Sequence, residues 1–197
     1  MSARTAIHAC VLATGIVLLT LGSPSAVRCF QARDHLTPEE AELIREAQIL
    51  DKRIDVFIKA VDRRLLVLSG GAPAGDKQLK KDSEKWGELP SGTRAELFGD
   101  IARIFDEAIT NIDDVSARDE KNPLIPKALR KLAAGASRTV EQLKPTQSRE
   151  TSGAESGNFD LLVRHAEEIV EAASKLPPPV EKKAKEKGKT EKTKETN

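Results

Sequence analysis

Residues 37–68 read TPEEAELIREAQILDKRIDVFIKAVDRRLLVL, and this stretch decides the fold. Thr37 can cap a helix, Pro38 suits its first turn, and Glu40 completes a capping box. Beyond it Leu43, Ala47, Leu50, Ile54, Phe57 and Val61 follow one another in steps of four and three. That spacing is a heptad-like seam on one helix face. Ile44, Ile58 and Leu65 widen the seam, and Arg64 interrupts it before Leu65 and Leu68 take over. Read as one element, residues 37–68 predict a helix about 48 Å long at 1.5 Å per residue.

The same grammar recurs downstream. Ser69-Gly70-Gly71-Ala72-Pro73-Ala74-Gly75 ends the first helix and reads as a hinge. A short helix over 76–86 carries Leu79, Ser83 and Trp86 on one side. Thr93 and Glu96 form a second capping box. Behind it Leu97, Ile101, Ile104, Ala108, Ile112 and Val115 form a stripe to about Ala117, flanked by Phe98 and Phe105. Leu129, Leu132, Ala136, Val140 and Leu143 mark a helix over about 125–143, which Pro145 stops. Residues 145–157 read as a loop. Phe159, Leu162, Ala166, Ile169, Ala173 and Leu176 mark a last helix from about Asn158, closed by Pro177-Pro178-Pro179. No segment alternates with the period of a strand. The expectation is all-α: an antiparallel bundle of four longer helices plus one short one, followed by a disordered C-terminal tail.

Composition agrees. Aromatics make up 3% of the 197 residues and Tyr is absent, so the core must be aliphatic. The formal charge of +1 is balanced between 32 basic and 31 acidic residues. Residues 177–197 hold seven Lys and four Glu, which leaves the rest of the chain near −2. A nucleic-acid binder shows a basic excess on its folded domain, so no nucleic-acid partner is expected. The tail lacks the apolar content to fold alone.

At the other end, Arg4 and His8 precede an apolar run from Ala9 to Leu21, followed by Gly22-Ser23-Pro24-Ser25-Ala26. A charged start, an apolar middle and a small-residue end describe a secretory signal peptide over residues 1–26. An uncleaved anchor or a buried helix is the competing reading. The run of about 13 residues is short for a bilayer, which takes roughly 20. Export to the periplasm or outside the cell is therefore expected, with no stable membrane span after cleavage. Residues 27–36 read as a leader, 37–176 as the bundle domain and 177–197 as the tail. Neither Cys10 nor Cys29 stands where a lipid-modified Cys would, and Cys29 alone cannot form an internal disulfide.

Chemistry-bearing residues are few. His165 and Glu168 share a helix face and make at most half of a metal site. His35 lies in the leader with no evident partner. Glu39-Glu40, Asp113-Asp114 and Glu167-Glu168 are adjacent pairs in amphipathic helices, most of which face solvent, whereas acid–base catalysis needs carboxylates converging in a dry pocket. No Gly-x-Ser-x-Gly elbow occurs, and the glycines at 70, 71 and 75 lack the Lys-Ser/Thr of a phosphate loop. Trp86 is expected to pin the short helix rather than anchor a partner. We assign no catalytic, cofactor-binding or metal-ligating residue, and expect no cofactor.

Three stretches carry a resemblance. Leu36-Thr37-Pro38-Glu39-Glu40 leading into Leu50-Asp51-Lys52-Arg53-Ile54, then Lys85-Trp86-Gly87-Glu88-Leu89-Pro90, then Arg118 to Leu129 together resemble a group of exported bacterial helical proteins with no assigned function. The resemblance spans most of residues 36–143 and implies no catalytic residues. The Leu-Thr-Pro-Glu start is also similar to small periplasmic helical chaperones of the metal- and stress-response kind. The function expected is that of a non-enzymatic, exported helical interaction or scaffold protein of the cell envelope, with an unknown protein partner. The alternative is a periplasmic ligand-binding, metal-stress-related or chaperone-like protein. The oligomeric state is left open.

Overall fold

A computed structural model describes residues 33–71, 77–146 and 152–178, without the side chains of 77–80 and 146. Residues 1–32, with the expected signal peptide and both cysteines, residues 72–76, residues 147–151 and the Lys/Glu tail beyond residue 178 lie outside the described residues.

Among these residues the chain forms six α-helices and no strand: α1 Pro38–Glu46, α2 Leu50–Leu68, α3 Lys77–Trp86, α4 Arg94–Arg118, α5 Leu124–Leu143 and α6 Gly153–Ser174. Both capping boxes are present. Thr37 Oγ1 accepts from the Glu40 amide at 3.2 Å, and Thr93 Oγ1 does the same for Glu96. The capping residue satisfies an amide that the helix itself leaves without a partner.

The long first helix is two helices. It breaks at Ala47-Gln48-Ile49, where Ile49 is extended and Arg53 Nε donates to the Ala47 carbonyl at 2.9 Å. Nothing in these three residues resists a helix, so the break is tertiary. A straight helix would hold Glu40 and Arg64 about 36 Å apart. Instead α1 folds back along α2, and Glu40 Oε1 accepts from Arg64 at 2.8 Å. The seam holds within α2, where Leu50, Ile54, Phe57 and Val61 are all buried. In α1 the buried apolar residue is Ile44 rather than Leu43.

Four helices carry the bundle. Around its square, α2 adjoins α4, α4 adjoins α6, α6 adjoins α5, and α5 adjoins α2. Successive helices alternate in direction: Arg53 near the start of α2 meets Asn111 near the end of α4, and Arg130 near the start of α5 meets Pro177 just after α6. The bridging contacts then fix two neighbouring pairs as parallel. Asp51 meets Lys127 and Asp62 meets Arg138, so α2 and α5 run the same way. Arg94 meets Glu155, and Asn158 donates to the Ala95 carbonyl, so α4 and α6 do too. The core is aliphatic with a few Phe rings: Ile54, Phe57, Ile101, Ile104, Leu132 and Leu162 are almost fully buried. Phe98 and Phe159 meet edge to face at 5.4 Å. Gly135 lets α2 and α5 approach closely, because a Cβ there would stand 3.1 Å from Ile58.

Two further boundaries differ from the sequence reading. Helix α6 starts at Gly153, five residues before Asn158, because Ser152 caps it and accepts from the Glu155 amide. Asp34–Leu36, read as leader, begins the packed structure: Leu36 lies against the core and the His35 carbonyl accepts from Arg64 at 2.5 Å. No helix among the described residues is long and apolar enough to cross a membrane.

Candidate functional site

Two polar constellations stand out, and they differ in what is left over for a partner. The first lies where α1 folds onto α2. Glu40 and Arg64 are essentially fully buried, and Arg63 nearly so. Arg64 grips Glu40 through both carboxylate oxygens at 2.8 Å, donating also to the Ala60 carbonyl at 2.7 Å. Arg63 Nε stands 3.0 Å from Glu40 Oε1, and its guanidinium donates to the Gly87 and Glu88 carbonyls. Gly87 presents its carbonyl from the left-handed region at φ +66°, and a Cβ there would collide with Glu39 at 2.7 Å. The Arg63 guanidinium also sits 5.8 Å from the centre of the Trp86 ring.

Burial pushes the Arg63 guanidinium below its ordinary range, while the Glu40 carboxylate opposes the shift. Two cations face one carboxylate, and backbone carbonyls take up further donors. The centre ties together α1, α2 and the turn after α3. Most of its donors and acceptors are turned on one another, the buried Nε of Arg63 and of Arg64 making no hydrogen bond, and the arrangement is a structural joint rather than a binding place.

A similar joint lies at the other end of α2. Asp51 is buried, with Lys127 Nζ at 2.5 Å and Lys131 Nζ at 3.7 Å. The Lys127 hydrogen bond holds the Asp51 carboxyl below its ordinary value, with the charges of Lys127 and Lys131 adding to the effect and burial opposing it.

The second constellation opens outward. A groove of about 240 Å³ lies between α4 and α6, with Leu129 of α5 beside it. Its floor is apolar: Phe105, Ile109, Ile112, Leu129, Ile169 and Ala172. Its remaining lining residues are Asp106 and Asp113 from α4 and His165 and Glu168 from α6. The helical repeat explains the arrangement. Asp106 and Asp113 sit seven residues apart, two turns on one face, while His165, Glu168, Ile169 and Ala172 share a face of α6. The three carboxylates are exposed and His165 is half-buried. No Lys or Arg lines the groove, and no described side chain forms an ion pair with these acids.

The sequence candidates fall into place as follows. His165 and Glu168 do share a face, joined by two aspartates from α4 that the sequence reading left apart. No group of three or more His, Cys, Asp or Glu that could hold a metal occurs among the described residues. His35 has a partner after all: its Nε2 lies 2.7 Å from Glu107 Oε2. Asp113, Asp114, Glu167 and Glu168 are exposed, as read, but Glu40 is not. Glu40 is the exception among the six carboxylates, because the fold of α1 carries it onto two arginines. Trp86 is half-buried against Arg63 and pins α3 as expected. Ser83 is exposed, and the Leu79 side chain lies outside the described residues.

Sequence reasoning missed Glu40–Arg63–Arg64, although one signal was present. Leu50, Phe57 and Arg64 are spaced by seven, so Arg64 occupies a seam position and needs a buried carboxylate. It also missed the burial of Asp51 and Asp100. Compared with protein families, curated proteins and solved structures, the chain shows no significant match.

Proposed function

We propose that this chain is an exported, non-enzymatic helical interaction or scaffold protein of the cell envelope. One observation carries the reading: the charged joints inside the domain are spent on internal contacts, whereas the acids of the α4/α6 groove are left facing outward over an apolar floor. Acid–base chemistry draws on titratable groups converging in a desolvated pocket. The groove's carboxylates are exposed at its edge. Export rests on the signal-like residues 1–26.

The groove serves the second reading, a periplasmic ligand-binding, metal-stress-related or chaperone-like protein, less well. Its volume of about 240 Å³ is smaller than the roughly 300–1,000 Å³ of small-molecule sites. A side-chain anchor suits that size better than a cofactor.

The test is chemical cross-linking in intact cells, followed by purification of the chain from the envelope fraction. The expected result is an adduct of fixed stoichiometry whose copy of this chain begins between Ala26 and Asp34. Recovery of an uncross-linked chain from the cytosol, still starting at Met1, would overturn the proposal.

A further inference from the structure

We infer that the α4/α6 groove receives a basic amphipathic helix of a partner protein, apolar side chains on its floor and Lys or Arg against its acids. This deepens the interaction reading and rests on it. Charge and shape complementarity point to this occupant. Along the contacts of α2 with α5, and where α4 and α6 begin, carboxylates are paired: Asp51 with Lys127, Asp55 with Lys131, Asp62 with Arg138 and Glu155 with Arg94. Around this groove Asp106, Asp113 and Glu168 have no such cation among the described residues, and no described Lys or Arg lines it.

The floor also has apolar side chains with no other described residue laid over them. Ile109 and Leu129 are only partly buried, and the small Ala172 leaves the space beside them open. The spacing specifies the occupant further. Asp106 and Asp113 stand two helical turns apart, about 10.5 Å along α4. A partner helix with basic residues at i and i+7 and apolar residues at i+3 and i+4 presents the same period. The chain's own tail is a poorer match: its Lys are interleaved with Glu, and Val180 and Ala184 are its only apolar residues beyond the prolines.

The test uses the purified chain and a fluorescein-labelled helical peptide with Lys at i and i+7 and Leu at i+3 and i+4, titrated by anisotropy. Saturable binding that weakens with added salt is expected. Asp106→Asn, Asp113→Asn and Glu168→Gln together should weaken it roughly tenfold, the scale of a few ion pairs at a rim. Ala172→Phe, which fills the floor and leaves the charge alone, should weaken it comparably. Asp114→Asn, Glu141→Gln and Glu167→Gln together, an equal charge change off the groove, should leave binding within about twofold.

Three outcomes overturn the inference: no saturable binding, equal weakening by the two neutralised variants, or equal binding of a peptide with Glu in place of Lys. A fourth is displacement of the probe by a synthetic copy of Val180–Asn197 as effectively as by the unlabelled probe, which would make the occupant the chain's own tail. Any of these with the envelope adduct intact removes the groove and leaves the interaction reading standing. Loss of the envelope adduct removes the interaction reading itself.

Discussion

At the scale of single residues, Glu40 shows how one side chain can hold two jobs that the sequence displays as one. Its Oε2 accepts from the Thr37 amide at 3.0 Å and from Arg64 at 2.8 Å. The capping role was legible, because Thr37 and Glu40 stand three apart before an apolar run. The pairing with Arg64 was hidden by 24 residues of chain and by a helix break with no Gly or Pro to mark it. Removing one member of a buried ion pair strands the other, at about 3–5 kcal/mol. Glu40→Gln should therefore lower the unfolding free energy by several kcal/mol in denaturant titrations, whereas Glu39→Gln, on the exposed neighbour, should change it little. Asp51 makes a pH prediction of definite sign. Its carboxyl is held below the ordinary value of 3.8, so the folded state binds the proton less readily than the unfolded one. The stabilisation is complete above the ordinary carboxylate range and is lost as pH falls through the lowered folded value. Asp51→Asn should flatten that part of the acid-unfolding curve; an unchanged acid limb would remove Asp51 from its cause.

At the scale of elements, the stripes of α4, α5 and α6 were readable because a helix buries one face, and 3.6-residue periodicity survives in the sequence whatever the partner is. The break between α1 and α2 was not readable, since it depends on where α2 ends in space. Phe57 lies mid-way along α2 and is fully buried. Phe57→Ala should cost about 3–5 kcal/mol, a large part of the roughly 5–15 kcal/mol that holds a domain together. Lys59 pairs with Asp82 of α3 at 2.7 Å, and the pair is partly exposed. Lys59→Ala should cost under about 1 kcal/mol. Thermal melts of the two variants check this, and a melting midpoint unmoved by Phe57→Ala would mean that α2 is not part of the packed core in solution.

At the scale of the whole molecule, the all-α bundle was legible and the neighbours within it were not. Which stripe faces which is decided by connections that bend out of sight of any local window: the α3 excursion between α2 and α4, and the short turn at 119–123. The groove shares that fate. His165 and Glu168 announced themselves by their spacing, but Asp106 and Asp113 lie some sixty residues earlier and join them only because α4 and α6 stand side by side. That adjacency of parallel helices also governs how the chain reaches its native state. The α2/α5 pair joins residues 76 apart in sequence and the α4/α6 pair residues 61 apart. Large loops must close before either contact returns any free energy, and contacts between distant residues slow folding across single domains. Stopped-flow refolding should accordingly proceed in milliseconds or longer rather than in the microseconds open to the most local helical bundles. With α2 and α6 on opposite corners, the two are joined only through α4 and α5.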